Sequence, residues 1–160
     1  MAKAIFRIEH RLGIPAPAHV VWQVLADLER WGEWNPIYPK VEGKLTIGEE
    51  LAITEQIPGF EPVQITPRVV DWVPDAQILW LMSQKFGFLK RLRYIEIDQV
   101  GEEGCIFANG EDWYGRPARY VTAAQRRGMR EGFEAMSEAL KARALAVWRE
   151  ERPALTSNEG

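Results

Sequence analysis

The most regular apolar pattern in the chain lies near its C-terminus. Met129, Phe133, Met136, Leu140, Ala144 and Val147 recur at steps of three and four, which puts them on one stripe of a helix. Glu131, Glu134, Glu138, Lys141 and Arg149 fall on or near the opposite side. Pro117 suits a first turn, where no backbone N–H is needed, and Pro153 lies just past the expected end. The spacing predicts one helix from Pro117 to about Glu151, roughly 50 Å long. Such a helix needs a large partner surface for its stripe. Its first half is different: the stripe continued backward meets Arg126, Gln125, Thr122 and Ala118, and Gly128 and Gly132 sit one turn apart. Each glycine costs about 1 kcal/mol of helix stability relative to alanine. Either this half is frayed or kinked in solvent, or it covers a cavity and its inward polar groups meet a ligand or water.

The rest of the chain supplies the partner surface. Residues 5 to 14 alternate as a strand, with Phe6, Ile8, His10, Leu12 and Ile14 on one face. Pro15 and Pro17 end it, and residues 18 to 28 form a short amphipathic helix through Val20, Val21, Val24, Leu25 and Leu28. Trp31 to Pro36 reads as a second short helix or turn, most simply a corner with Trp packing and an Asn side chain tying down backbone. Between Tyr38 and Phe60, two strand candidates flank the Gly43–Gly48 region, with Leu45 and Ile47, then Leu51 and Ile53, alternating. Residues 63 to 73 alternate around Pro67, which implies an edge strand or bulge. Ile78 to Met82, with Trp80, residues 90 to 100, and Cys105 to Trp113 complete the strands. Phe86-Gly87-Phe88 marks a loop that either gates a pocket or packs on a neighbour. Short links between consecutive strands imply an antiparallel sheet, so the class is α+β.

At 160 residues with 46% hydrophobic and 27% charged positions, one soluble domain is expected, here residues 1–152 with a disordered tail at 153–160. The net charge of −3 argues against nucleic acid or an anionic membrane as the main partner, and no apolar run is long enough to insert across a bilayer. A single cysteine, Cys105, and no signal-peptide core point to the cytoplasm. No His/Cys cluster has metal-ligand spacing and no glycine-rich phosphate loop is present, so neither a metal nor a cofactor is expected. Whether the protein forms a homodimer stays open. Seven tryptophans are many for this length and suit a core or an apolar pocket.

The order strand, two short helices, about six or seven strands in all and one long helix resembles the helix-grip fold of the START-related (SRPBCC) superfamily, in its polyketide cyclase/dehydrase branch. Ala16 to Asp27 is similar to that family's entry into its first helix, and Trp31-Gly-Glu-Trp-Asn-Pro36 to its Trp-Asn-Pro corner. Arg93, Ile95 and Ile97, then Cys105 to Gly115, resemble its last two strands, and Phe133 to Lys141 the end of its long helix. Two positions depart from it: Asn109 stands where many relatives carry histidine, and Cys105 where threonine is usual. An amide cannot titrate near neutral pH, so chemistry that relatives run from that position is not carried over.

In such proteins the curved sheet wraps the long helix around an apolar cavity. The resemblance therefore implies a ligand-contacting set of Phe107, Asn109, Glu111, Trp113, Arg93, Ile95 and Trp80 from the sheet, with Thr122, Arg126 and Met129 from the helix. A buried Glu111 needs a partner, and Arg93, Arg126 or His10 is expected to face it. The leading expectation is a binder of a small hydrophobic molecule: a lipid, polyketide or aromatic metabolite. An enzyme of the cyclase/dehydratase kind is the alternative, with Glu111 and His10 as candidate acid/base groups, although His10 reads more simply as a hydrogen-bonded core residue. A third reading, a partner-protein module like the chaperone activators of this superfamily, would call for a sizeable exposed apolar patch.

Overall fold

The computed structural model describes residues 3–156. Strand β1 (Phe6–Ile14) leads to helix α1 (Ala18–Ala26) and a 3-10 turn over Leu28–Glu33. Seven further strands follow: β2 (Lys40–Glu42), β3 (Ala52–Glu55), β4 (Val63–Ile65), β5 (Arg68–Val73), β6 (Gln77–Gln84), β7 (Leu89–Gln99) and β8 (Cys105–Tyr114). A further 3-10 segment, Arg116–Tyr120, precedes helix α2 (Ala123–Thr156). All strand pairs are antiparallel, and the order β1-β8-β7-β6-β5 places the first strand beside the last.

The remaining strands form a second sheet in the order β2-β3-β4. Backbone bonds from Leu51 N to the Pro67 carbonyl (2.8 Å) and from Val69 N to the Glu49 carbonyl (2.9 Å) join it to the first. Pro67 is the cause of the division. It lacks the N–H that a continuous 63–73 strand would need, so that stretch splits into β4 and β5, each at the edge of its sheet. Leu45 and Ile47, expected in a strand, lie in the loop between β2 and β3, where Ile47 is exposed.

Helix α2 begins six residues later than Pro117 suggested. A reciprocal cap sets its start: the Gln125 N–H donates to Thr122 Oγ1 (3.1 Å) and the Thr122 N–H to Gln125 Oε1 (2.8 Å). The helix runs past Pro153 to Thr156, and residues 157–160 of the expected tail lie outside the described residues. Met129, Phe133, Met136, Leu140 and Ala144 are buried as the stripe requires, with Trp148 rather than Val147 continuing it. The cause is the drift of a 3.6-residue turn against steps of three and four.

The first half of α2 is neither frayed nor kinked. Gly128 faces the Pro58 carbonyl and the Phe60 ring, while Gly132 faces Ile37 and Pro58, so a Cβ on either would meet atoms at about 2.9 Å. The glycines are where the β3–β4 loop lies on the helix. Beyond them, Trp31, Tyr38 and Trp80 make one aromatic cluster, with ring centroids 5.6 to 6.0 Å apart, between helix and sheet. The Trp31 indole N–H donates to the Leu25 carbonyl, and Asn35 Oδ1 accepts from the Ile37 and Tyr38 N–H groups, which fixes the corner.

On the outer face of the sheet, Gly110 lets the Tyr94 ring lie over it; a Cβ there would overlap the Tyr94 hydroxyl and sit 2.7 Å from the Ile8 carbonyl oxygen. Gly110→Ala is expected to cost about 2–3 kcal/mol in urea unfolding, as overpacking against backbone does. A cost under about 0.5 kcal/mol would mean that β1 and Tyr94 move aside freely.

Candidate functional site

The register of β7 and β8 decides which side chains meet. Arg91 lies opposite Trp113, Arg93 opposite Glu111 and Ile95 opposite Asn109, and all six turn to the helix side. Strand neighbours on one face also meet diagonally, and that diagonal pairs Arg91 with Glu111. Arg91 Nε donates to Glu111 Oε1 at 2.7 Å, and its Nη2 donates to both oxygens of Glu55 on β3 at 3.1 and 3.2 Å. Of Arg93, Arg126 or His10, expected to face Glu111, Arg93 does lie opposite it, but the hydrogen bond comes from Arg91, two residues along the same strand face. Alternation alone would have found Arg91, and the Ile53/Glu55 alternation would have found Glu55.

All three groups are buried. Burial pushes the Glu111 carboxyl above the ordinary carboxylate range, Arg91 opposes this, and the neighbouring Glu55 adds to it. Glu111 Oε2 is buried without a hydrogen-bond partner. The Arg91 guanidinium is disfavoured by burial, but the two carboxylates outweigh that and hold it charged. It also lies 4.4 Å from the Trp113 ring centroid, Phe6 stacks on Trp113 at 5.2 Å, and Arg126 lies 4.0 Å from the Phe6 ring centroid. Two guanidinium groups thus close both ends of a two-ring stack.

A second cluster surrounds Arg93, which is fully buried. It donates to Tyr38 Oη (2.9 Å), Asn109 Oδ1 (2.8 Å) and the carbonyls of Tyr94 and Gly110, and lies 4.2 Å from the Phe133 ring centroid. Burial, opposed by Arg93, pushes the Tyr38 phenol up to about 12. Asn109 Nδ2 donates to Ser137 Oγ (2.7 Å), and Ser137 donates to the Phe133 carbonyl (2.9 Å). His10 Nδ1 lies 3.0 Å from the same Ser137 oxygen. With the Ser137 proton on the Phe133 carbonyl, this distance suits the tautomer in which His10 donates through Nδ1–H.

The cavity lies beside the Arg91 cluster, under the first turns of α2. Its volume is about 340 Å³. Buried Glu55 and Arg91 mark its inner end, and Leu89, Trp113 and Met129 its apolar walls. The β3–β4 loop contributes Ile57 and Phe60, the segment before α2 contributes Tyr120 and Val121, the first turn of α2 contributes Gln125, and Lys85 stands at the opening. Of the expected ligand-contacting residues, Trp113 and Met129 therefore line this space. Glu111 lies one bond behind Arg91. Phe107, Ile95 and Trp80 are packed in the core, Asn109 and Arg93 belong to the second cluster, Thr122 caps the helix, and Arg126 covers Phe6.

Cys105 is buried, and burial pushes its thiol up to about 11. Among the described residues no group of three His, Cys, Asp or Glu is placed to hold a metal ion, and no helix is long and apolar enough to cross a membrane.

A curved antiparallel sheet closed over one long helix, with a cavity at one end of the contact, is the helix-grip architecture of START-type proteins. The chain belongs to the family described as polyketide cyclase/dehydrase and lipid transport, whose pattern matches residues 6–144. A START superfamily protein from Mycobacterium smegmatis superposes with a TM-score of 0.71 at 17% identity, over 88% of this chain and 98% of that one. Norcoclaurine synthase from Thalictrum flavum, a point mutant bound to a transition-state analogue, gives 0.69 at 18% identity, over 91% and 98%. The di-domain ARO/CYC StfQ of the steffimycin biosynthetic pathway gives 0.65 at 15% identity, over 92% of this chain and 51% of that one. At these identities the likeness is one of fold. No curated protein matches the chain in sequence.

Proposed function

We propose that the protein binds one small, mainly apolar molecule in the cavity under the first turns of α2, with the molecule's polar end toward Arg91 and Glu55. The observation that carries this reading is an apolar-walled space of about 340 Å³ ending on a buried ion pair. That volume lies within the usual range for ligand pockets, and a few convergent polar groups in apolar walls are their common design. Family membership supports it, since the family's description joins cyclase chemistry with lipid transport.

One observation favours cyclase/dehydratase-type chemistry as a second reading: a carboxylate, Glu55, stands at the inner end of the cavity, backed by Glu111, whose carboxyl burial pushes above the ordinary range. His10 is engaged with Ser137 and does not line the cavity, so under this reading the acid/base work falls to the glutamates.

Native mass spectrometry of protein purified from its own host should show a retained small molecule, released on denaturation. Val121→Trp, which fills the cavity from a half-buried position, should lower retention of that molecule and of the apolar probe Nile red at least about tenfold, while the melting temperature changes little. Unchanged Nile red binding in this variant would place the bound probe elsewhere. Glu55→Gln separates the two readings: it abolishes turnover under the second and only shifts affinity under the first.

A further inference from the structure

Exposed aromatic side chains gather around the cavity opening. Three segments meet at this cavity: the β3–β4 loop, the β6–β7 turn and the stretch between β8 and α2. Each carries exposed aromatic surface. Phe86 is 104% exposed, Tyr120 85% and Phe88 71%, with Val63 and Phe60 about half exposed beside them. The Phe88 carbonyl packs where Gly115 (φ +97°) has no Cβ, so the β6–β7 turn is held against the start of the Arg116–Tyr120 segment.

The backbone makes this exposure costly. Lys85 and Phe86 both have left-handed conformations, at φ 52° and 59°, which non-glycine residues rarely adopt. The turn therefore accepts backbone strain and leaves a Phe ring wholly in water, with no packing gained in return.

The charge around these rings is mainly positive. Lys85, Arg116 and Arg119 are exposed on these segments, against one exposed carboxylate, Glu61, on a chain whose net charge is −3. Overall charge hides this local excess of cations.

We propose that this rim docks on an anionic phospholipid bilayer, with Phe86, Phe88 and Tyr120 in the headgroup layer and the cavity opening facing the lipid. Aromatic tips flanked by Lys and Arg are what an anionic interface accommodates: rings enter the headgroup boundary while cations stay with the phosphates. A protein partner would also cover an apolar patch, but two features favour the bilayer. The patch surrounds the entrance to an apolar cavity, and its rings stand apart on three segments rather than forming one groove. The proposal rests on the cavity reading and narrows its ligand to molecules that partition into membranes.

The test is vesicle co-sedimentation of the full chain with phosphatidylcholine alone and with an equimolar phosphatidylcholine–phosphatidylglycerol mixture. The expected result is binding to the mixture, weakened by salt, and little binding to phosphatidylcholine alone. Phe86→Ser/Phe88→Ser and, separately, Arg116→Glu/Arg119→Glu should each lower partition about tenfold or more while circular dichroism stays unchanged. The charge-reversal pair keeps the proposal testable should the serine pair misfold. Wild-type protein that stays in the supernatant with both vesicles overturns it, as does equal binding by all variants. A wild-type dimer that the serine pair converts to monomer, without vesicle binding, assigns the face to a second copy and also overturns it. Nile red binding without vesicle binding removes the docking alone; vesicle binding without Nile red binding retains docking and removes the cavity reading.

Discussion

Arg91→Met is expected to destabilise the fold by about 3–5 kcal/mol at neutral pH, measured by urea unfolding. The reason is asymmetric burial. Arg91 is the only hydrogen-bonded cation of both Glu55 and Glu111 among the described residues, so its removal leaves two carboxyls in a low-dielectric space. They escape by taking up protons, so the loss should shrink on acidification. The sign for the wild type follows from the same groups. The folded-state value of Glu111 is raised above 4.5. The folded chain thus keeps a proton that the unfolded chain has released, and Glu111's contribution, fully present below about 4.5, fades as pH rises through its folded value. Glu111→Gln should therefore flatten the stability–pH profile above 4.5. An Arg91→Met cost under about 1 kcal/mol, flat in pH, would show that water reaches these carboxyls.

Arg93→Met should cost about 3–4 kcal/mol, because Arg93 is fully buried and its donors satisfy Tyr38, Asn109 and two strand carbonyls. Arg93→Lys keeps the charge but cannot reproduce a planar fork, and should recover less than half of the loss. Ligand retention in Arg93→Lys should match the wild type, since Arg93 does not line the cavity. Near-native stability of Arg93→Met together with lost retention would reverse this and return Arg93 to the binding surface.

How much of this was readable beforehand differs by element. The α2 stripe from Met129 to Ala144 and the succession of strands follow from periodicity, because burial on one face leaves a period in the sequence, whereas the inward set Phe107, Asn109, Glu111 and Trp113 came with the family resemblance. Pro117 offered an earlier helix start than the Thr122–Gln125 cap that sets it, because a proline at N1 fits a 3-10 turn as well. The pairing of Glu111 was harder. Alternation tells which face a residue occupies, whereas the choice between Arg91 and Arg93 depends on a diagonal contact set by register and by Glu55 on another sheet. The polar first half of the long helix hinted at a cavity, but not at its extent. The aromatic cluster of Trp31, Tyr38 and Trp80 fills one half of the helix–sheet contact, and only three-dimensional packing shows that the other half stays open.

Cys105 has a practical consequence. Its sulfur is shielded in β8 and its thiol stays protonated at neutral pH, so maleimides should leave the native chain unlabelled. With no other cysteine in the sequence, Phe86→Cys would give a protein that carries a single dye at the tip of the β6–β7 turn, and its emission colour would report directly whether that tip sits in water or in hydrocarbon.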